Sequence, residues 1–307
     1  MSQTLSQLPL ADARGMDRRG WLPFTDNTQA RILKVAGRVY LYASVILIVA
    51  IVAFPLFWMI ASSFKPRTEL YAFPPTFFPA VPTFANYYEL LFGTSFATYF
   101  KNSLIVAAGA TVLSMVIGSL GGYTLSRFRY PGFRLFARVT LLSYMLPSIM
   151  LVIPLYITIG ELGLVDTLES LIITNTTFTL PFALWLMRAY FSTIPMELEE
   201  AAMIDGCTRF QALMRVIIPL ALPGIVSTSI FAFTHAWNEY LYALVFIHSD
   251  SLRTLPPGMG TFIQMDSVYQ WGVLMAGSVL ITIPVLIFYM LVQRNLVAGM
   301  TEGGVKA

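Results

Sequence analysis

The sequence predicts an all-α integral membrane protein with six transmembrane helices and both termini in the cytoplasm. Its 307 residues are 57% hydrophobic and only 11% charged, and the mean hydropathy is +0.71. A soluble domain carries about 25% charged residues, so this chain has too few charges to cover a water-exposed surface and is expected to lie in lipid. The fold class follows from this composition, from six long apolar runs and from the placement of the basic residues.

Each apolar run is long enough to cross a bilayer, which takes about 20 helical residues. The runs cover residues 40–62, 103–125, 135–159, 171–190, 217–247 and 271–292. They predict a cytoplasmic N-terminal tail at 1–36, a six-helix domain at 37–294 and a cytoplasmic C-terminal tail at 295–307. Gly118 and Gly122 in the second run predict close packing against a neighbouring helix, because they have no side chain to hold two backbones apart.

The basic residues set the orientation, since cytoplasmic segments carry an excess of lysine and arginine. Of the 19 lysines and arginines, 15 lie in or beside the two tails and the second and fourth loops, whereas four lie in or beside the other loops. Both termini are therefore predicted to be cytoplasmic. The same count predicts a cytoplasmic location for residues 199–206, which belong to the fourth loop.

Residues 199–206 form an acidic interruption between the fourth and fifth apolar runs. Pro195 suits the first turn of a helix, Glu199 and Glu200 complement the helix dipole, and Gly206 suits a left-handed C-terminal cap. Apolar residues at i, i+3 and i+4 would give this helix a narrow face for docking a partner. That face is formed by Leu198, Ala201 and Ala202. From these residues alone, docking and an ordinary amphipathic loop helix remain open alternatives.

A second helix is predicted directly after this turn. Thr208 and Gln211 have the spacing of a capping box, in which each side chain binds the other residue's backbone N–H. Pro219 follows at the entrance to the fifth run, where its ring bends the chain. The sequence therefore predicts a helix–turn–helix rigidly joined to a membrane span.

Three polar residues inside the apolar runs are candidates for lining a transport path. Glu239 is an ionisable group near the outer end of the fifth run, which makes it a functional candidate by default, and Asn238 lies beside it. Asn175 lies in a threonine-rich part of the fourth run, where its amide could hydrogen-bond a hydroxylated solute. The alternatives are an interfacial position for Glu239 and Asn238 and a helix–helix contact for Asn175.

Motifs for catalysis, metal binding and ATP binding are absent from the sequence. No nucleophile–base pair and no set of metal ligands converges, so an enzyme is not expected and no catalytic or metal site is predicted. No Gly-x4-Gly-Lys-Ser/Thr loop occurs, so the chain is not expected to bind ATP itself. The single cysteine, Cys207, excludes an intrachain disulfide.

The spacing around Gly206 resembles the EAA loop of binding-protein-dependent ABC transporter permeases. The family pattern is Glu-Ala-Ala-x3-Gly-x9-Ile-x-Leu-Pro. This chain has Glu200-Ala201-Ala202, then Gly206, then Val216-Ile217-Ile218-Pro219, in which valine and isoleucine are conservative replacements. Residues 237–240 and 293–306 look like the smaller of the two permeases of maltose-type sugar importers. The resemblance covers residues 40–307 and says nothing of the first 36.

The resemblance implies a permease subunit of an ATP-driven importer for a sugar or a related polyol or oligosaccharide. It implies a second homologous permease as the heterodimer partner, two ATP-binding cassette subunits that use the ATP, and an extracytoplasmic solute-binding protein. The location would be the cell membrane of a bacterium or archaeon, crossed several times, with lipid as a neighbour and no nucleic-acid partner. No cofactor is expected on this chain.

The resemblance also implies roles for individual residues. Pro219 would carry the motion into the fifth span. The EAA segment would contact the ATPase through Glu199, Glu200, Ala201, Ala202, Asp205 and Gly206. The C-terminal tail would enter the ATPase interface through Gly303, Gly304 and Lys306. The alternative function is an ion-coupled secondary transporter that acts without an ATPase. A secondary transporter would require charged groups near the midplane of the membrane and an internal repeat, and the sequence contains neither.

Overall fold

A computed structural model describes residues 27–128, 130–264 and 270–303, and within these ranges every regular element is a helix. The all-α fold class is therefore confirmed for these residues. The chain divides into two units, Met1–Phe57 and Trp58–Ala307, and each is described by itself.

The first unit contains most of one long helix, α1 (Asn27–Ser63), which continues to the start of the second unit. The helix begins at Asn27, inside the segment 1–36 that the sequence predicts as a tail, and residues 1–26 lie outside the described ranges. From Val35 to Leu56 the large apolar side chains of α1 are exposed. Such a surface needs lipid or another apolar helix against it.

The second unit contains the remaining helices. They are α2 (Arg67–Leu70), α3 (Ala85–Phe92), α4 (Phe96–Arg127), α5 (Phe133–Ser143), α6 (Val152–Glu161), α7 (Leu168–Thr193), α8 (Met196–Ile204), α9 (Arg209–Ala212), α10 (Ile218–Leu220), α11 (Leu222–Trp237), α12 (Leu241–Phe246), α13 (Leu255–Gln264) and α14 (Trp271–Gly303). A π-helical turn, Leu213–Ile217, joins α9 to α10. The buried centre of the unit is formed where α4, α7 and α11 pack together.

Glycines of α4 bring its backbone against α7. A β-carbon added to Gly122 would lie 2.8 Å from both the Met187 Cβ and the Arg188 backbone nitrogen, and one added to Gly118 would lie 3.0 Å from the Ala183 Cβ. No larger residue fits at Gly122 unless the helices separate. The predicted packing role of these glycines is confirmed. Nearby, the hydroxyl groups of Ser114 and Thr179 lie 2.6 Å apart and join the same two helices.

Four described helices are long and apolar enough to cross a membrane: Val35–Ser63, Phe96–Arg127, Leu168–Thr193 and Trp271–Leu291. A fifth span is counted if Arg209–Leu220 and Leu222–Trp237, which meet at 75°, act as one broken helix. These segments correspond to the first, second, fourth, sixth and fifth predicted runs. The structure is that of a multi-pass, all-helical membrane protein.

The sequence predicts one helix over the third apolar run, residues 135–159. That prediction is wrong, because the segment does not form a single helix. The segment is divided into α5, a 3-10 helix at Ser148–Leu151 and α6. Pro147 directly precedes the 3-10 helix in an extended conformation. Proline has no N–H to donate to the preceding turn, so the helix ends before it despite the apolar sequence.

The fifth predicted run, residues 217–247, is also divided. α11 ends at Trp237, and α12 begins at Leu241. The residues between them include Asn238 and Glu239, so these two candidates lie at a break between helices and not inside a continuous span.

Asp166 joins the loop before α7 to the loop after α12. Its carboxylate accepts hydrogen bonds from the backbone nitrogens of His248, at 2.8 Å, and Ser249, at 2.9 Å, and from the Ser249 hydroxyl. The Ser249 hydroxyl and then the two backbone N–H groups lower the pKa of Asp166 below its ordinary value. The two loops are thus held together by an ionised side chain.

Candidate functional site

The helix α8 has the ends that the sequence predicts. Pro195 precedes its first residue, and Gly206 follows its end with φ of +91°. The Cys207 nitrogen donates to the Ala202 carbonyl at 3.0 Å, and the Gly206 nitrogen donates to the Met203 carbonyl at 3.1 Å. These two bonds form a Schellman cap, which needs a left-handed residue at the position of Gly206. The predicted glycine cap is confirmed.

The second helix begins as predicted from the capping box. The Thr208 nitrogen donates to the Gln211 side chain at 2.9 Å, and the Gln211 nitrogen donates to the Thr208 hydroxyl at 3.3 Å. From here α9, the π-helical turn and α10 run without a break to Leu220. Pro219 lies on an exposed part of this helix, two residues before the buried Ala221 at the 75° bend. The predicted helix–turn–helix is therefore present and leads directly into α11.

The two faces of α8 differ from the prediction. Ala202 is only 8% exposed and Glu199 only 1% exposed, because residues three apart share a helix face and this face packs on the chain itself. The exposed side chains are Met196, Glu197, Leu198, Glu200, Ala201, Ile204 and Asp205. The expectation that Ala202 and Glu199 face a partner is therefore corrected, since both point into this chain. Ala201 and Glu200 remain accessible.

The buried Glu199 carboxylate is bound by side chains of α4. The Tyr123 hydroxyl donates to Glu199 Oε1 at 2.5 Å, and Arg127 Nε donates to Oε2 at 3.1 Å. Arg209 Nε lies 3.6 Å from Oε1. A buried carboxylate is tolerated when charges and hydrogen bonds compensate for its lost hydration. Sequence reasoning missed this group, because the predicted run ends at residue 125 and leaves Arg127 in the loop. In the structure α4 extends to Arg127, so Tyr123 and Arg127 are four residues apart on one helix and share a face.

Glu239 caps a helix. Its two carboxylate oxygens accept hydrogen bonds from the Tyr242 nitrogen at 2.7 Å and the Ala243 nitrogen at 2.9 Å, in the first turn of α12. Acidic side chains satisfy the unpaired N–H groups at a helix start in this way. The Tyr242 hydroxyl in turn donates to the Ser148 carbonyl at 2.7 Å. Both carboxylate oxygens are thus occupied by the chain itself.

The other two path candidates lie in different environments. Asn175 is buried, and its amide nitrogen donates to the Leu171 carbonyl at 2.9 Å. Asn238 is exposed, donates to the Thr234 carbonyl at 2.8 Å and lines a cavity of about 460 Å³ beside Trp237. In this conformation only Asn238 of the two is accessible to a solute.

Of the C-terminal candidates, Gly303 lies at the end of α14. This helix continues through the predicted tail 295–307 as far as Gly303, its last residue. Gly304 and Lys306 lie outside the described residues. Among the residues that the structure describes, no group of three or more His, Cys, Asp and Glu side chains could hold a metal ion.

Comparison with known families identifies the type of protein. Residues 114–302, which include α7, α8 and α11, match the family described as binding-protein-dependent transport system inner membrane component. The chain belongs to this family. The resemblance to binding-protein-dependent ABC transporter permeases is thereby confirmed, and the protein is a transport permease and not an enzyme.

Two curated relatives and one solved structure resemble the chain over most of its length. The inner membrane ABC transporter permease protein YcjP of Escherichia coli (strain K12) is 39% identical over 275 residues, which are 89% of this chain and 98% of YcjP. The diacetylchitobiose uptake system permease protein DasC of Streptomyces coelicolor is 38% identical over 272 residues, 88% of this chain and 98% of DasC. A chain from the crystal structure of a bacterial ABC transporter that imports alginate has 25% identity and a TM-score of 0.73, covering 89% of this chain and 99% of its own.

Proposed function

We propose that this chain is one of two homologous permeases that form the membrane path of an ATP-driven sugar importer. The family supports binding-protein-dependent transport. A relative named for diacetylchitobiose uptake and a structural neighbour that imports alginate support a sugar or a related polyol or oligosaccharide as the solute. The partners in this proposal are a second permease, two ATP-binding cassette subunits and an external solute-binding protein. It is favoured over an ion-coupled secondary transporter because the family works with a binding protein.

The single observation that carries this proposal is the exposed face of α8. A short helix with a fixed C-terminal cap presents the apolar Leu198, Ala201 and Ile204, with Ile204 85% exposed, beside acidic side chains on the same helix. A matching surface on an ATPase would be an apolar groove with basic groups along its rim. In this proposal α8 is the contact through which the ATPase moves the permease, with Pro219 and the bend at Ala221 leading into the membrane.

The proposed topology has six membrane crossings and both termini in the cytoplasm of a bacterial or archaeal cell. The third crossing would be made by α5 and α6 together, with the turn at Pro147 between them. The excess of basic residues near α8 supports its cytoplasmic location. The end of α14 at Gly303, followed by Gly304 and Lys306, would then lie on the ATPase side. Asn238 remains the proposed path residue, because its cavity leaves it accessible.

The experiment is co-purification of the tagged permease with its ATPase from membranes. Ile204→Asp places a charge at the centre of the proposed contact without disturbing the fold, because the side chain is almost fully exposed. The expected result is loss of the ATPase from the purified complex. Val81→Asp is the matched control, since Val81 is also exposed but lies in the loop between α2 and α3. Equal recovery of the ATPase from both variants would contradict the proposal.

A further inference from the structure

We propose that Glu199 is a positioning residue that fixes α8 to the end of α4, so that α8, α4 and α7 move as one body when the ATPase acts. This inference rests on the proposed function and extends it. α8 is joined covalently to the membrane on both sides, through Ile194 and Pro195 to α7 and through α9 and α10 to α11. The contacts of Glu199 give a second kind of route, which is not covalent and enters the membrane through α4.

The second route begins at a carboxylate with both oxygens bound. Glu199 Oε1 accepts from Tyr123, and Oε2 accepts from Arg127, whose side chain is only 6% exposed. Hydrogen bonds to a charged group are short and strong, and two donors from successive turns of one helix leave the carboxylate little freedom. The α8 helix therefore cannot rotate or slide along α4 without breaking a buried bond.

Arg127 also fixes the connection that leads into α8. Its Nη2 donates to the Ile194 carbonyl at 3.0 Å, one residue past the end of α7. One guanidinium group thus binds both α8 and the α7–α8 connection. Arginine can do this because its planar group carries several donors in a fixed arrangement.

Aromatic rings surround the buried bonds and exclude water from them. The Tyr123 ring packs edge-on against Phe191 of α7 and Phe128, with ring centroids 5.9 and 6.5 Å apart. Arg209 covers the outer side, with its guanidinium 5.1 Å from the Phe128 ring centroid. A low-dielectric surrounding strengthens a satisfied hydrogen bond and makes its loss costly. Arg209 is 45% exposed, so the two α4 donors are the main restraints.

The α4 helix is in turn fixed to α7. The glycine contacts at Gly118 and Gly122 bring the two backbones together, and the Ser114–Thr179 hydrogen bond joins them deeper in the span. A displacement of α8 that carries α4 must therefore carry α7 as well. Glu199 thus connects the exposed face of α8 to two packed spans.

The test measures distances between spin labels in the purified complex with its ATPase. One pair joins Met196→Cys on α8 to Val116→Cys on α4, and the other joins Met196→Cys to Ile287→Cys on α14, all on a Cys207→Ser background. All three label positions are exposed. Distances are recorded without nucleotide and after trapping with ATP and vanadate. The α8–α4 distance is expected to stay constant on trapping, whereas the α8–α14 distance changes.

In Glu199→Gln the α8–α4 distance is expected to change on trapping, with a roughly tenfold or larger rise in the displaced population, since the bonds to a charged buried group are weakened. Tyr123→Phe removes one donor and keeps the ring packing, so it should act in the same direction even if Glu199→Gln fails to fold. Glu169→Gln is the control, because Glu169 is exposed at the other end of α7, and it should behave as the wild type.

Three outcomes would overturn the inference. A constant α8–α4 distance in both Glu199→Gln and Tyr123→Phe would make Glu199 a residue of local stability only. An α8–α4 distance that changes in the wild type would show that α8 and α4 do not move together. If neither wild-type distance changes on trapping, the ATPase does not act on this chain, and the proposed function fails with the inference.

Discussion

Replacing Gly206 by alanine tests whether the cap of α8 is needed for the contact with the ATPase. The residue has φ of +91°, and an added β-carbon would meet nothing within 4 Å. The cost of alanine is therefore conformational only, about 1–2 kcal/mol for an L-residue in the left-handed region. The chain can avoid this cost by releasing the two cap bonds, made by Cys207 and Gly206 to the last turn of α8. Either response lowers the population of the capped helix by a factor of about 5–30.

The assay has two readings, thermal unfolding of the purified permease and recovery of the ATPase on co-purification. Gly132→Ala is a matched control, because Gly132 has φ of +94° and also meets nothing within 4 Å, but lies in the loop between α4 and α5. Both variants should lose similar stability, and only Gly206→Ala should lose the ATPase. Equal recovery of the ATPase with the two variants, or unfolding of Gly206→Ala at the wild-type temperature, would contradict this role of the cap.

Three further substitutions test other parts of the structure. Gly122→Ala should lower the free energy of unfolding by about 1–3 kcal/mol, because it forces α4 away from α7, and it should lower the thermal midpoint. Gly260→Ala is the control and should leave the midpoint unchanged, because its added β-carbon would meet nothing within 4 Å. An unchanged midpoint for Gly122→Ala would contradict the close packing of α4 on α7. Glu239→Gln should lower the free energy of unfolding by about 1–2 kcal/mol, because it leaves one N–H of α12 unpaired. Solute uptake should fall only in proportion to the loss of folded protein. Loss of uptake at a normal thermal midpoint would instead indicate that Glu239 lines the transport path. Asp166→Asn should unfold at a lower temperature at pH 7. Folding lowers the pKa of Asp166, so its contribution to the free energy of unfolding is complete above the ordinary pKa of about 4 and is lost as the pH falls through the lowered value. The unfolding temperatures of the two proteins should therefore converge in acid. A difference that stays constant with pH would argue against the ionised contact.

The local features of this chain were predictable because neighbouring residues determine them. The Gly206 cap and the Thr208–Gln211 capping box depend on residues within one or two turns of each other, and both were found from spacing alone. The cap at Glu239 was equally local. An acidic residue shortly before an apolar run is a helix-start signal, but the prediction of one continuous helix over 217–247 leaves no helix start at Glu239.

The features that depend on distant contacts were not predictable. Spacing places Ala201 and Ala202 on neighbouring faces of α8, but only the packing of α8 against the rest of the chain, including α9 and the turn Leu213–Ile217, decides that Ala202 is inside. The pairing of Glu199 with Tyr123 and Arg127 joins residues more than 70 positions apart. Hydropathy alone also failed at residues 135–159, where an apolar composition is compatible with both a continuous and a broken helix, and Pro147 ends the helix.

The most direct test of ATPase coupling through α8 is cross-linking at two adjacent positions. On a Cys207→Ser background, Ala201→Cys lies on the exposed face and Ala202→Cys lies on the buried face. A short bifunctional thiol-to-amine reagent is applied to membranes that contain the complete complex. A cross-link to the ATPase is expected from Ala201→Cys, and little or none is expected from Ala202→Cys. Cross-linking to the ATPase from neither position, or equally from both, would contradict coupling through α8.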